Sequence, residues 1–284
     1  MVSPYQFGVC SWSLPAPDTI EACYMTKDLG LSGISLDLGG LGPDLRSDVS
    51  RLKSIRDTRS QLGLTFPALA ANALCGTGLS NSQKRSGVRK IIEQAVATAE
   101  ALEISLLQLP SFGDGAIDSA QALEQTAENL QIACDLAHPL GIIVGTENAL
   151  SVEANQHLLG KVDRPNLRIY FDTSNPFWMS DLATETMIAP LAEHICEYHV
   201  KDETRDSETG AFGFAPLGQG GSSFSECVSE IRKTDFRGWI ILENYYADPE
   251  RNDDPKAVVD QLQQDVQTMI KAFESPEHEG DNFV

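Results

Sequence analysis

Eight short runs of β-branched and apolar residues recur along the chain, and longer segments with helical periodicity separate them. The runs are YQFGVCSW, GISLDL, TFPALAA, SLLQLP, GIIVGTE, LRIYFD, ICEYHV and WIILEN. In SQKRSGVRKIIEQAVATAEALEI, residues Val88, Ile91, Ile92, Ala95 and Ala99 fall on one stripe of a helix. The segment DSAQALEQTAENLQIACDLAHPLG repeats that pattern and reaches Gly141, a predicted helix stop. Alternation of strands and helices implies parallel strands, because each helix carries the chain back to the end of the sheet where the next strand starts. Eight such units within 284 residues predict an α/β chain folded as a single closed (β/α)8 barrel. The rival, an open doubly wound sheet, would carry a Gly-rich phosphate loop after its first strand, and CSWSLPAPD is no such loop. With no linker in view, the barrel is expected to cover residues 1–274, leaving 275–284 as an acidic, mobile tail.

Composition narrows the partners. Apolar residues make up 42% of the chain, enough for a sizeable core. No apolar run approaches the roughly 20 residues that span a bilayer. The start, MVSPYQFGVCSWS, lacks the basic and long apolar stretches of a signal peptide, so a cytoplasmic protein is expected. Net charge is −20, and no run of Lys and Arg exceeds two residues, which argues against nucleic acid and anionic membranes as partners. The six cysteines, Cys10, Cys23, Cys75, Cys134, Cys196 and Cys227, are scattered without a CxxC pair and read as reduced, mostly buried thiols.

In a barrel the C-terminal ends of the strands carry the chemistry. Strand five ends in Glu147, strand six in Asp172, strand seven in His199 and strand eight in Glu243. Any one of these at a strand end could be structural; four on consecutive strands point to a shared task. Two carboxylates about 4 Å apart repel by roughly 4 kcal/mol at an effective dielectric near 20, so three together call for a cation or for protons. A divalent metal ion held by Glu147, Asp172, His199 and Glu243 answers that need. Three oxygens and one nitrogen suit Mn²⁺ best, with Mg²⁺ or Co²⁺ as alternatives and Zn²⁺ less suited.

Alternation along strand seven points His199 and Lys201 into the mouth and Val200 outward. Lys201 has two readings: polarising a substrate oxygen or protonating a leaving hydroxyl, or pairing with Glu243 or Asp202. Asp202 is expected to cap or orient the loop that follows. Trp12, Phe177, Trp178, Tyr245 and Tyr246 lie near strand ends, where rings either stack on a sugar or pack the rim, and Trp12 is the best placed. PLGQGG reads as a flexible loop whose N–H groups could cradle a phosphate, although no Lys or Arg accompanies it and Ser222 and Ser223 can simply open a helix. His138, His157, His194 and His278 are read as surface or packing residues.

Taken together, GVCSWSL, the TEN of strand five, DTSN of strand six, HVKD of strand seven, PLGQGGSSF and the LEN of strand eight resemble the xylose isomerase-like TIM barrels. That family includes sugar-phosphate isomerases, ketose 3-epimerases and inosose dehydratases. The resemblance covers nearly the whole chain. It implies that Glu147, Asp172, His199 and Glu243 are the metal ligands and that Glu147 and Glu243 also form the acid–base pair on opposite faces of the substrate. It further implies sugar contacts from Glu153, six residues after Glu147, and Arg205, six after His199. As a bland alternative, Glu153 decorates the first turn of a helix opened by Ser151. Asn175 stands where the epimerases often carry His, so a hydrogen-bond contact survives and a titrating group does not. DNA-repair endonucleases of the same superfamily carry extra histidines near the places where this chain has Asn72 and Gln108, which makes DNA cleavage an unsuitable reading. The implied activity is a metal-dependent isomerisation or epimerisation of a sugar or sugar phosphate through an enediolate. Dehydration of a keto-polyol or keto-sugar at the same site is the alternative, and a non-catalytic sugar-binding or partner subunit is the third. The partner implied is a small carbohydrate, and barrels of this family often form homo-oligomers.

Overall fold

A computed structural model describes residues 3–39, 45, 49–206, 209–210, 212–246 and 255–275. The predicted runs become β1 (Gln6–Cys10), β2 (Gly33–Asp37), β3 (Leu69–Ala70), β4 (Leu106–Pro110), β5 (Ile143–Glu147), β6 (Leu167–Asp172) and β7 (Ile195–Val200). An unforeseen ribbon of β8 (Glu203–Arg205) and β9 (Phe212–Phe214) follows, then β10 (Trp239–Leu242). All but the ribbon strands close into a parallel barrel in the order β1-β10-β7-β6-β5-β4-β3-β2, while β8 and β9 pair antiparallel outside it. The expected barrel is thus present. The predicted tail lies outside the described residues apart from Ser275.

The helices are α1 (Thr19–Asp28), α2 (Val49–Leu62), α3 (Ala73–Thr77), α4 (Arg85–Leu102), α5 (Ala120–Ala137), α6 (Val152–Val162), α7 (Asn175–Ser180), α8 (Thr184–Leu191), α9 (Phe224–Lys233) and α10 (Pro255–Glu274). The stripe Val88, Ile91, Ile92, Ala95 and Ala99 is the buried face of α4. Ser119 and Ser151 cap α5 and α6 by accepting from Ala122 N and Ala154 N, and Gly141 ends the turn after α5 at φ +70°. β3 is short because Pro67 has no N–H to give a ladder, so the run is split between a bridge at Thr65 and the pair Leu69–Ala70. Among the described residues no helix is long and apolar enough to cross a membrane.

Strand alternation builds two cores. Outward residues such as Val9, Leu36, Leu69, Leu107, Val144, Phe171, Val200 and Leu242 join helix residues in one continuous apolar cluster. Inward, Ala68, Leu106 and Tyr170 make a small separate cluster inside the barrel. Close strand packing there depends on glycine: a Cβ on Gly8 would lie 2.9 Å from the Gly33 carbonyl oxygen. Above this plug the inward residues turn polar, and that change places the site.

Candidate metal centre

The apolar neighbours Phe171, Val200 and Leu242 face the helices, so period-two alternation leaves Asp172, His199 and Glu243 facing the barrel axis. Register then sets their height, pairing Asp172 with His199 and Pro110 with Glu147. One ligand-type atom from each of Glu147, Asp172, His199 and Glu243 lies within 4.8 Å of every other, and all four side chains are buried. His199 Nδ1 is 3.2 Å from Glu147 Oε1, 3.3 Å from Glu243 Oε2 and 3.8 Å from Asp172 Oδ2. In an octahedral shell with bonds of about 2.1 Å, neighbouring ligand atoms stand about 3 Å apart and opposite ones about 4.2 Å, so the spacing fits one ion.

Asp172 supplies the decisive detail. Its Oδ1 accepts the backbone N–H groups of Ser174 (2.7 Å) and Asn175 (2.6 Å). Its Oδ2 is buried without a hydrogen-bond partner, although Lys201 Nζ stands 3.2 Å away at ion-pair distance. A buried carboxylate oxygen left so costs about 1–3 kcal/mol or more, and a bound cation removes that cost. The residues therefore fit a hard divalent ion held by Glu147, Asp172, His199 Nδ1 and Glu243.

Lys201 completes the charge balance. It is buried, donates to Glu243 Oε2 at 2.8 Å, and lies 5.4 Å from the Tyr245 ring centroid. The ion pair with Glu243, one of its two predicted readings, is present in the fold. Burial pulls the ammonium pKa down, but Asp172 and Glu243 outweigh it and hold Lys201 well above the ordinary lysine value. Burial pushes Asp172 up to about 7, against the pull of Lys201 and with the repulsion of Glu243 and Glu147. Burial also works to raise Glu243, yet His199 and Lys201 hold it below the usual carboxylate range. For His199, burial opposes the charge, and Cys10, Glu243 and Glu147 more than offset it, raising the imidazole well above its ordinary value in the absence of metal. Three carboxylates, one ammonium, one neutral imidazole and one divalent ion leave no net charge.

The surroundings hold the carboxylates in place. Trp12 Nε1 donates to Glu243 Oε1 at 3.1 Å, so this ring acts as a donor at the site. Gln108 Nε2 donates to Glu147 Oε2 at 2.6 Å and Asn175 Nδ2 to Glu147 Oε1 at 3.2 Å, while Trp178 Nε1 fixes Asn175 through Oδ1 at 3.1 Å. Cys10 Sγ stands 3.3 Å from His199 Nε2, and Cys10, His199 and Glu243 also bring one ligand-type atom each within 4.8 Å of one another. Below the site, Tyr170 OH donates to Glu197 Oε1 at 2.6 Å, and burial raises the Glu197 carboxyl to about 8 against the pull of Tyr170 and His199.

Two predicted sugar contacts stand apart from this cluster. Glu153 is exposed in the first turn of α6, where its carboxylate accepts from Ser151 Oγ at 2.9 Å, as in the bland reading. Arg205 lies exposed on β8, stacked 5.2 Å over Phe212 with Nη1 3.4 Å from Asp181. The glycine loop is also turned inward. Asp202 accepts from Gly218 N, Gly220 N and Ser222 N, Gly221 N donates to the Glu203 carbonyl and Gln219 N to that of Pro216, so these amides are not offered to a phosphate. Asp202 orients the loop as expected, and α9 starts at Phe224 after Ser223. Phe177 and Trp178 pack against Phe212, and Tyr246 is buried with its hydroxyl on Asp265. His138 and His157 are exposed, His194 is half-buried beside Glu193, and His278 lies outside the described residues. All six thiols are free.

Gln108, Cys10 and Glu197 are the site neighbours that strand-end reading passed over. Glu197 and Gln108 were within reach of it, because each is a polar residue on the inward parity of an apolar strand.

Comparison with known proteins places this arrangement. The family model described as xylose isomerase-like TIM barrel matches residues 23–268. The chain belongs to that family. Within it, the chain is 31% identical over 245 residues to the 2-epi-5-epi-valiolone 7-phosphate 2-epimerase of an Actinoplanes species, covering 85% of this chain and 87% of the relative. It is 23% identical over 255 residues to the L-ribulose-5-phosphate 3-epimerase UlaE of Salmonella typhi, covering 83% and 86%. Among solved structures, the D-psicose 3-epimerase of Clostridium cellulolyticum H10 superposes with a TM-score of 0.75 at 14% identity, over 95% of this chain and 99% of that one, a likeness of fold.

Proposed function

We infer that this protein is a divalent-metal-dependent epimerase that moves a proton at the carbon next to a ketone in a polyol or sugar, with a phosphorylated substrate favoured. The observation that carries this reading is the arc of four ligands on β10, β7, β6 and β5, with a carboxylate at each end. The phosphate esters in the names of the two curated relatives support the substrate class.

The chain's own groups divide the work. Glu243, kept anionic by Lys201 and steadied by Trp12, is suited to take the proton from the carbon next to the carbonyl. Glu147 receives neutral donors, Gln108 and Asn175, and stands at the other end of the arc, where it can return a proton to the opposite face. A bound divalent ion supplies Lewis-acid stabilisation of the negative charge that develops on the substrate oxygens. Burial of the cluster limits exchange of the carried proton with bulk water.

The test is incubation of the metal-loaded protein in D2O with ketoses, cyclic polyol ketones and their phosphates, read by proton NMR, with Glu243→Gln as control. Deuterium entering the position next to the carbonyl with inversion there, and lost in the variant, is the expected result. A new ultraviolet-absorbing enone would instead assign the dehydratase reading. Tight sugar binding without exchange would assign a binding subunit.

A further inference from the structure

We propose that Cys10 is the positioning residue for His199: its sulfur accepts the Nε2 proton and thereby fixes the imidazole tautomer that leaves Nδ1 open to the metal. The proposal rests on the reading of the four-residue cluster as a divalent-metal site, and it begins from the two edges of the His199 ring. Nδ1 faces Glu147, Glu243 and Asp172 at 3.2, 3.3 and 3.8 Å. Nε2 faces Cys10 Sγ at 3.3 Å, within the range of an N–H···S contact. A ligating imidazole nitrogen must be bare, so the neutral ring carries its proton on the other nitrogen, which then needs an acceptor. His199 is fully buried, so water cannot fill that role from bulk solvent. The Tyr170 ring lies edge-on to the imidazole at 4.4 Å between centroids, and the Tyr170 hydroxyl is already committed to Glu197. Trp12 stands farther off at 6.0 Å, with its N–H on Glu243. Cys10 is the group left to receive Nε2–H.

Strand geometry makes the contact deliberate in position. Cys10 closes β1 with no exposed surface, paired in register with Ser35 of β2, and it reaches His199 across β10, which separates β1 from β7. A thiol also suits the charge of the site. Metal-ligating histidines commonly lean on a carboxylate, which raises their basicity. Here three carboxylates already share the pocket with one ammonium and one ion, and a fourth anion would leave a buried excess of negative charge. A thiol offers the ring an acceptor without requiring a further charged side chain at the site.

The alternative for a buried cysteine is that it merely fills space as a small apolar residue. Two substitutions separate the readings. Cys10→Ser keeps an acceptor, whereas Cys10→Val keeps apolar bulk without one. The measurement is the Mn²⁺ dissociation constant of each metal-stripped variant, by competition with a fluorescent chelator, alongside the thermal midpoint of the metal-free protein. Cys10→Val should weaken Mn²⁺ by roughly 10–100-fold, as loss of such an orienting partner does, with Cys10→Ser staying close to the wild type. Equal affinity in wild type and Cys10→Val, or an equal loss in both variants, overturns the proposal. Should Cys10→Val fail to fold, Cys10→Ala takes its place in the same Mn²⁺ competition: a loss of roughly 10–100-fold that Cys10→Ser does not share upholds the assignment, and wild-type affinity overturns it. Failure of the wild type to bind Mn²⁺ would instead remove the metal-site reading on which the proposal stands.

Discussion

Replacing Lys201 by Met removes the one ammonium that touches two of the carboxylates while keeping most of the side chain's volume. Lys201 Nζ is 2.8 Å from Glu243 Oε2 and 3.2 Å from Asp172 Oδ2. At an effective dielectric near 20 these attractions amount to about 6 and about 5 kcal/mol before desolvation is counted. Desolvation of the ammonium consumes much of that, and deleting one member of a buried pair typically costs about 3–5 kcal/mol net. For a domain of this size that loss lowers the thermal midpoint by about 5–8 °C. The sign reverses once metal is added. A cluster one charge more negative should bind a divalent ion more tightly than wild type, so saturating Mn²⁺ should restore more stability to the variant than it gives the parent. Calorimetric melts of both proteins, stripped and Mn²⁺-loaded, measure all four states. If metal-free Lys201→Met melts with the wild type, or gains no more from Mn²⁺, then Lys201 is not the counter-charge of the cluster and the electrostatic account fails.

Other consequences follow from the same contacts. Glu243→Gln should leave the fold intact and slow proton exchange by about 10²–10⁴-fold, the range for a lost general acid or base, as read by deuterium incorporation. Asp172 is raised to about 7 and His199 is raised as well, so both must lose protons before metal binds. Mn²⁺ affinity should therefore rise with pH, more steeply below about 7 than above it, with proton release seen by calorimetry in buffers of different ionisation enthalpy. In the metal-free protein Asp172 and Glu197 bind protons more readily folded than unfolded. Their contribution to stability is thus largest near pH 4 and falls as pH rises towards about 8, where Glu197 titrates, a trend that melts across this window would reveal. Gln108→Met should loosen Glu147 and weaken Mn²⁺ about tenfold, measured by chelator competition. Glu153→Ala should leave the exchange rate unchanged, because that side chain is turned to Ser151.

The barrel was legible because its two periodicities are local properties. Inward and outward parity on each strand follows from the apolar runs, and it delivered Glu147, Asp172, His199, Lys201 and Glu243 to one place. Features that depend on packing between distant segments were not legible. Cys10 and His199 are 189 positions apart, and nothing in either strand alone announces their contact. The resemblance implied a sugar contact from Arg205, but the β8–β9 ribbon that pairs it with Phe212 could not be read from its spacing after His199. Likewise the glycine-rich loop was legible as a loop, but the buried Asp202 carboxylate that claims its amides was visible only once the loop was folded onto it.

The central claim is that four side chains on consecutive strands hold one divalent ion. Anomalous diffraction from crystals soaked in Mn²⁺ tests it directly. The account predicts a single strong peak per chain at about 2.0–2.6 Å from oxygens of Glu147, Asp172 and Glu243 and from His199 Nδ1. No peak inside the barrel, or a peak on the Nε2 side of His199 beside Cys10, would contradict it.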